Sequence, residues 1–381
     1  MSGRISKTIT IGGFGHVRAI SIGGGFPVVV QTMWKDRLSP ADIAGKAGAA
    51  LVGRIEDLGR MGCGLLRFAV PDIAAAATLG QLSSMVAMPL VADIHFDYKI
   101  ALRCMDFPIA KIRINPGNIG GREHVRAVLQ KAGANGVPIR VGVNAGSLPQ
   151  DLRRRVRDGM GQAEALAEAA ERELAVFEEF GFDKVLVSMK ASGIADTIRA
   201  NRILAVKTSA PLHIGVTEAG PLVAGVARSG IALAALLSEG IGDTMRVSLS
   251  DTMENEVIAG REILGAAAEA AALADEAGGR EAALRLKRPG VTIVSCPRCG
   301  RYGFDTHGFT ARWMPRLYAL DKNITVAIMG CAVNGPEEAK RADLGITGAG
   351  NKALIFRHGK VIRTINAAEA DGAFIEELAK L

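Results

Sequence analysis

Three cysteines, a glutamate and a set of arginines carry the chemistry that this sequence can do. Cys296-Pro-Arg-Cys299-Gly and Gly330-Cys331-Ala-Val-Asn334-Gly-Pro-Glu337-Glu338 bring three thiols and a carboxylate into one stretch of chain. The Cys-x-x-Cys step, with Pro inside it and Gly behind it, makes a tight knuckle that turns both sulfurs toward one point. By spacing alone the set suits a structural zinc, with His307 available to complete a Cys3His site. It suits equally a cubane iron–sulfur cluster on three thiolates with a fourth ligand that is not cysteine. A metal-free redox pair lacks thioredoxin-like surroundings. Cys63 and Cys104 lie in apolar segments and read as small buried hydrophobes.

The cations become a site only once their elements are placed. Short β-rich runs recur at Pro27–Gln31, Leu65–Val70, Pro89–Ile94, Ile109–Ile114, Pro138–Val143, Lys184–Met189, Leu212–Thr217 and Thr244–Leu249. Between and after them lie segments of helical spacing, among them Gly161–Phe180, Ile194–Ser209, Leu222–Glu239 and Met253–Ala277. Alternation of this kind predicts parallel βαβ units, and eight of them predict an α/β protein built on a (β/α)8 TIM-type barrel. An open doubly wound sheet would carry a Gly-rich phosphate turn after its first strand, and the sequence has none there. Thr8–Ile11 and His16–Ile22, with Gly12-Gly13-Phe14-Gly15 and Gly23-Gly24-Gly25, predict an N-terminal β-hairpin that plugs the barrel bottom.

In such a barrel the C-terminal strand ends build the active site. The runs present there Gln31-Thr32, then Arg67, then Asp93 and His95, then Arg113 and Asn115, then Arg140 and Asn144. Lys190, Glu218, and Arg246 with Ser248 complete the circle. Arg67, Arg113, Arg140, Lys190 and Arg246 would share one mouth, opposed by Asp93 and Glu218. Like charges gathered this way repel unless an anion joins them, and guanidinium forks match phosphate oxygens. The expected ligand is a small polyanion, with diphosphate the economical choice. A barrel mouth encloses a small molecule and only 4% of the chain is aromatic, so a base-stacking nucleic-acid surface is not expected.

Apolar residues make up 49% of the 381, enough for a sizeable core, and the net charge of +7 suits an anionic partner without selecting one. No run approaches the ~18 apolar residues of a membrane span. The segment Met1–Thr10 lacks the apolar stretch of a signal peptide. Five cysteines in so long a chain argue against a disulfide framework, and a cytoplasmic location is expected. Past Gly278-Gly279-Arg280 and Lys287-Arg288-Pro289-Gly290 the pattern changes, with strand-like runs at Val291–Val294, Thr325–Ile328 and Ala353–Arg357. This predicts a barrel domain over residues 1–280 and a small α+β domain over 281–381.

Taken together, the motifs resemble those of the 4-hydroxy-3-methylbut-2-en-1-yl diphosphate synthase family, iron–sulfur enzymes of the methylerythritol phosphate route to isoprenoids. The resemblance is carried, in order, by Leu90–Tyr98, Arg113–Gly120, Arg140–Leu148, Ile214–Gly220, Leu237–Leu249, Cys296–Arg301 and Gly330–Pro336. It implies a two-electron reductive ring opening of 2-C-methyl-D-erythritol 2,4-cyclodiphosphate to the linear hydroxymethylbutenyl diphosphate. It implies a 4Fe–4S cluster held by Cys296, Cys299, Cys331 and Glu338 in the small domain. Arg67, Arg113, Arg140, Asn144, Lys190, Arg246 and Ser248 would then hold the substrate. Asp93, His95, Asn115 and Glu218 would line the reacting end, with Glu218 handling the proton.

Flavodoxin or ferredoxin is the implied electron donor, and the implied assembly is a homodimer in which one subunit's cluster domain covers the other's barrel mouth. The alternative is a non-redox phosphate-binding barrel transferase whose small domain is stapled by zinc. Two positions depart from the family's pattern. Trp34-Lys35 stand where Thr-Asn is usual, and Lys35 is placed to meet phosphate. Glu337 replaces a glycine beside Glu338, which offers a second carboxylate to the cluster.

Overall fold

A computed structural model describes residues 4–273, 283, 285, 286, 290–299, 302–332, 335–349 and 351–381. Most of the connection at Gly278–Gly290, with Gly300, Arg301, Val333 and Asn334 of the cysteine motifs, lies outside the described residues. The chain divides into two compact units, Met1–Arg288 and Pro289–Leu381. Among the described residues no helix is long and apolar enough to cross a membrane.

The first unit opens with an antiparallel hairpin, β1 (Ile9–Ile11) and β2 (Ile20–Ile22), in which Ile9 faces Ile22. Eight parallel strands follow: β3 (Val29–Met33), β4 (Cys63–Ala69), β5 (Leu90–Asp93), β6 (Lys111–Ile114), β7 (Ile139–Asn144), β8 (Val185–Lys190), β9 (His213–Ile214) and β10 (Thr244–Met245). Their order in the sheet is β8-β7-β6-β5-β4-β3-β10-β9. A parallel bridge between Val187 and Leu212, and the Thr217 amide donating to Ala191, bring the two ends together. The sheet is thus a barrel with helices around it, as the alternation of runs predicts. The barrel strands read as near-continuous apolar runs because helices cover one face and the barrel core fills the other.

Outside the strands lie α1 (Gly45–Arg60), α2 (Ile73–Ser83), α3 (Tyr98–Cys104), α4 (Arg122–Asn135), α5 (Gln150–Arg157), α6 (Gln162–Glu179), α7 (Ile194–Ala205), α8 (Leu222–Ser238) and α9 (Met253–Ala272). Asp72 caps α2 by accepting from the Ala75 amide, and Thr252 caps α9 by accepting from Asn255, so both chains turn cleanly out of the mouth. The hairpin packs Ile9, Ile11, Val17 and Ile22 against Val29, Leu65, Val91, Ala110 and Leu186, residues near the starts of five barrel strands. It therefore seals the barrel floor, opposite the site. Cys63 and Cys104 are fully buried, and burial pushes both thiols up to about 12, as befits inert packing residues.

Two runs end sooner than their sequence suggests. Of Leu212–Thr217 and Thr244–Leu249, only two residues each join the ladder. Beyond Ile214 and Met245 the backbone leaves the sheet to line the mouth, touching once more where Gly220 bridges Leu249.

The second unit is a five-stranded sheet ordered β11 (Thr292–Ser295), β12 (Thr325–Ile328), β13 (Leu344–Ala349), β14 (Lys352–Arg357) and β15 (Lys360–Asn366). The first three strands are parallel and the last two antiparallel. Helices α10 (Thr306–Tyr318) and α12 (Ala370–Leu378) supply Phe309, Trp313 and Phe374, whose rings pack within 4.9–5.7 Å of one another in its core. A single-turn helix, α11 (Gly335–Glu338), follows Cys331.

Candidate active site

The barrel mouth holds a cavity of about 460 Å³. Arg67, Arg113, Arg140, Lys190 and Arg246 all line it, together with Asp93, His95, Asn144, Glu218 and Ser248. Of the eleven barrel residues given a site role from sequence, ten line this cavity. Asn115 is the exception: its side-chain oxygen accepts from the Gly117 amide at 3.1 Å, so it closes the turn after β6 instead.

The strands place these charges at fixed depth. Asp93, at the end of β5, sits between two arginines, 3.4 Å from Arg67 Nε and 3.2 Å from Arg113 Nη1. Burial alone would raise its carboxyl, but Arg67, the His95 hydrogen bond and Arg113 outweigh burial and hold it well below the usual carboxylate range. Arg113 lies flat across β7, donating to the Gly142 carbonyl at 3.2 Å. A Cβ on Gly142 would stand 2.5 Å from the Arg113 guanidinium, so only glycine lets that side chain pass. Gly215 does the same for its neighbours, since a Cβ there would meet the Arg246 carbonyl at 2.6 Å and Lys190 Nζ at 3.1 Å.

Among the described residues that line the cavity, the cations Arg140 and Lys190 have no ion-pair partner. Arg140 donates one hydrogen bond, to Ser188 Oγ at 2.5 Å, while its Nε and Nη2 are buried without a partner. Burial first, then Arg67 and Arg113, drive it well below its ordinary value. A guanidinium stays protonated in proteins, so that pressure appears as the cost of a buried charge and not as loss of the proton. Lys190 is buried too, and burial reinforced by Arg140, Arg67 and Arg246 drives its ammonium far below its usual value. Burial, offset by Asp93, brings Arg67 down to about 10. Five cations line the cavity against Asp93 and Glu218, an excess of positive charge that suits an anionic ligand.

Glu218 occupies a left-handed backbone at φ 53°, a conformation that costs a non-glycine residue about 1–3 kcal/mol and collects at functional sites. Its exposed side chain lines the opening. His95 Nε2 lies 3.7 Å from Asp93 Oδ1, with the ring half open to the cavity.

One participant was not legible in the spacing. Glu256, on the first turn of α9, is buried, and its two oxygens accept from Arg246, Lys35, Thr32 and the Leu249 amide. Lys35 accordingly turns toward this carboxylate, and Trp34 stacks on Phe68 with ring centroids 5.5 Å apart. Beneath the cavity, inside the barrel, Lys111 donates to Gln31 at 3.3 Å and His213 shares a hydrogen bond with Thr244 at 2.7 Å.

In the second unit the cysteines stand at the C-terminal ends of adjacent parallel strands. Cys296 follows β11, Cys331 follows β12, and the register pairs Ser295 with Ile328. The two loops are tied by the Gly303 amide donating to the Gly330 carbonyl at 2.7 Å. A Cβ on Gly330 would lie 3.4 Å from Cys296 Sγ. Arg298, between Cys296 and Cys299, adopts φ 71°, the left-handed turn a knuckle requires. Cys299 is exposed, Cys296 and Cys331 are half-buried, and all three are free thiols. Glu337 pairs with Lys340 at 2.7 Å, whereas Glu338 ends α11 one residue on. Among the described residues, no three His, Cys, Asp or Glu side chains stand close enough together to hold a metal ion. The donor set itself, three thiols and a carboxylate on loops of one sheet edge, has the hard-and-soft mixture that suits a cluster with one displaceable ligand.

Comparison with known proteins gives two family matches in tandem. A family described as the GcpE TIM-barrel domain matches residues 14–261, and the GcpE protein C-terminal domain matches residues 292–380. The chain is similar to the 4-hydroxy-3-methylbut-2-en-1-yl diphosphate synthase (flavodoxin) of Treponema pallidum, with 49% identity over 99% of this chain and 92% of that one. It is similar to the protein of the same description from Treponema denticola at 46%, covering 99% of both chains. To that of Geobacter sulfurreducens it is 41% identical, over 96% of each.

Proposed function

We propose that this chain, which belongs to the GcpE family of 4-hydroxy-3-methylbut-2-en-1-yl diphosphate synthases, gathers its substrate in the barrel cavity and reduces it at a 4Fe–4S cluster held by Cys296, Cys299, Cys331 and Glu338. The reaction converts 2-C-methyl-D-erythritol 2,4-cyclodiphosphate to 4-hydroxy-3-methylbut-2-en-1-yl diphosphate. Two electrons and a proton enter, the ring C–O bond to phosphate opens, and one hydroxyl leaves as water. When bound, the cluster supplies electrons singly and an iron able to take a substrate oxygen.

The observation that carries the reading is the cavity's unmatched positive charge, above all Arg140 with two buried and unpartnered nitrogens. A cyclic diphosphate supplies what the mouth lacks. Arg113, Arg140 and Lys190 take its oxygens, Arg67 and Arg246 close the circle, and Asn144 and Ser248 add neutral hydrogen bonds that fix orientation. The opening ring leaves a diphosphate with one more negative charge, so cations already in place stabilise the charge as it develops. Glu218, at the rim, delivers the proton to the departing hydroxyl, and Asp93 keeps His95 and the two arginines beside it oriented.

The further parts of the reading are a flavodoxin as electron donor, as the relatives' descriptions have it, a cytoplasmic location where such a soluble carrier works, and a homodimer in which the cluster unit of one subunit serves the barrel of its partner. Protein purified without oxygen is expected to hold about four iron and four sulfide per chain and to open the cyclodiphosphate when given reduced flavodoxin. Stoichiometric zinc that survives anaerobic reconstitution with iron and sulfide overturns the cluster and leaves a zinc-stapled transferase. For the dimer, a Cys296→Ala chain mixed with an Arg113→Ala chain should regain part of the activity that neither has alone. Absence of recovery in verified mixed dimers places the whole site in one chain.

A further inference from the structure

The proposed chemistry uses Arg246 and Ser248 but gives no part to the carboxylate behind them. We infer that Glu256, completed by Lys35, is a positioning residue that aims Arg246 and the Ser248–Ser250 segment into the cavity while keeping that corner of the site cationic. The inference rests on the cavity's being the diphosphate site.

The geometry is a closed ring of hydrogen bonds around one residue, Leu249. Glu256 Oε1 accepts from the Leu249 amide at 3.0 Å, the Leu249 carbonyl accepts from Lys35 Nζ at 3.0 Å, and Lys35 Nζ returns to Glu256 Oε1 at 2.5 Å. Both polar atoms of Leu249 are therefore held by this one pair, and its neighbours Ser248 and Ser250 face the cavity. The same carboxylate grips Arg246 as a fork, Oε2 accepting from Nε at 3.1 Å and Oε1 from Nη2 at 3.0 Å. Nη1 stays off the carboxylate, 3.7 Å from Met33 Sδ at the cavity wall. Thr32, donating to Oε2 at 2.6 Å, ties the end of the first barrel strand into the same knot. A carboxylate with no exposed side-chain surface and five donors has one stable pose, and it imposes that pose on what it holds.

Charge explains the lysine. Glu256 alone would neutralise Arg246 and waste a cation on its own counter-ion. Lys35, whose ammonium meets the carboxylate without itself lining the cavity, cancels that charge and leaves the guanidinium's to the ligand. Lys35 thus acts on phosphate through Arg246 and not by contact.

The test is a double-mutant cycle on holoenzyme, read as kcat and KM for the cyclodiphosphate. If Glu256 positions Arg246, Arg246→Ala should lower kcat/KM by on the order of a hundredfold in the native background and by less than about tenfold in Glu256→Gln. Equal losses in both backgrounds overturn the inference. Should Glu256→Gln fail to fold, Lys35→Met decides, because that side chain is 31% exposed and its loss is tolerable. It should raise KM about fivefold with kcat unchanged, and should flatten the salt dependence of KM. An unchanged KM in Lys35→Met also overturns it. A native enzyme that neither binds nor turns over the cyclodiphosphate sinks the functional reading itself, which none of the variant comparisons can mimic.

Discussion

The barrel mouth and the cysteine loops carry charge in opposite ways. In the mouth, ladder-bound strands hold Arg67, Asp93, Arg113 and Arg140 nearly out of water, each side chain laid against the next strand. In the second unit the proposed thiolate ligands Cys296, Cys299 and Cys331 follow the strand ends, with Cys299 exposed and, among the described residues, a backbone bond from Gly303 to Gly330 tying one loop to the other. The first is an electrostatic site assembled by folding, and its cost is unpaired charge in a low dielectric. On the proposed function, the second would take its final shape from the cluster, because metal–thiolate bonds outweigh the few contacts of a loop. Binding energy is stored in one region and supplied from outside in the other.

That contrast breaks most readily at a thiol. Cys331→Ala should abolish turnover and lower iron and sulfide content, while cyclodiphosphate binding to the barrel, measured by calorimetry, stays within about twofold of native. A parallel collapse of substrate affinity would mean that the two regions are one site energetically and that the division is wrong.

The next largest effect tests the strain in the mouth. Arg140→Met removes a buried guanidinium with two unsatisfied nitrogens and fills its volume with an apolar chain of similar length. Substrate affinity should fall on the order of a hundredfold. The empty protein should melt a few degrees higher, because an uncompensated buried charge is lost. A lower melting temperature would show that Arg140 stabilises the fold, against the account of a site held ready at a cost.

Lys190 gives a subtler signature. Its ammonium is held far below its ordinary value, first by burial and then by Arg140, Arg67 and Arg246. A bound diphosphate opposes the repulsion from the arginines and so raises it. Binding must then take up protons between the depressed and the restored value, and affinity must fall as pH rises through that window. Calorimetry in buffers of different ionisation heat should show that uptake within the window. Its absence in native protein, or its persistence in Lys190→Met, would remove Lys190 as the source.

What could be read from the chain follows the same division. Barrel geometry turns a list of strand ends into a list of neighbours, so Arg67, Arg113, Arg140, Lys190 and Arg246 could be placed in one cavity before any coordinate was known. Asn115 sat at the right position but spends its side chain on its own turn, a local competition that spacing does not reveal. Glu256 lies on a helix after the last strand and meets Lys35 only because β10 pairs with β3 when the barrel closes. No motif links residues 35 and 256. In the second unit, the strands Leu344–Ala349 and Lys360–Asn366 went unread, the first because two glycines make it look like a loop and the second because its largely exposed side chains give it no clear alternation.

The smallest expected effect separates two adjacent carboxylates. Glu337 and Glu338 both lie in α11, and in the sequence either could serve the cluster. Glu337 is committed elsewhere, to an exposed pair with Lys340 three residues on, and such pairs contribute almost nothing to stability. Glu337→Gln should therefore leave iron content, turnover and melting temperature where they are. Glu338→Gln should keep the three thiolates but expose one iron, so the cluster becomes oxygen-sensitive and its electron paramagnetic resonance spectrum changes on reduction. The reverse pattern, a silent Glu338→Gln and an altered spectrum in Glu337→Gln, would move the ligand by one residue. It would also mean that the bond to Lys340 breaks when the cluster binds, which is the loop rearrangement that the comparison with the rigid barrel mouth leads one to look for here and not there.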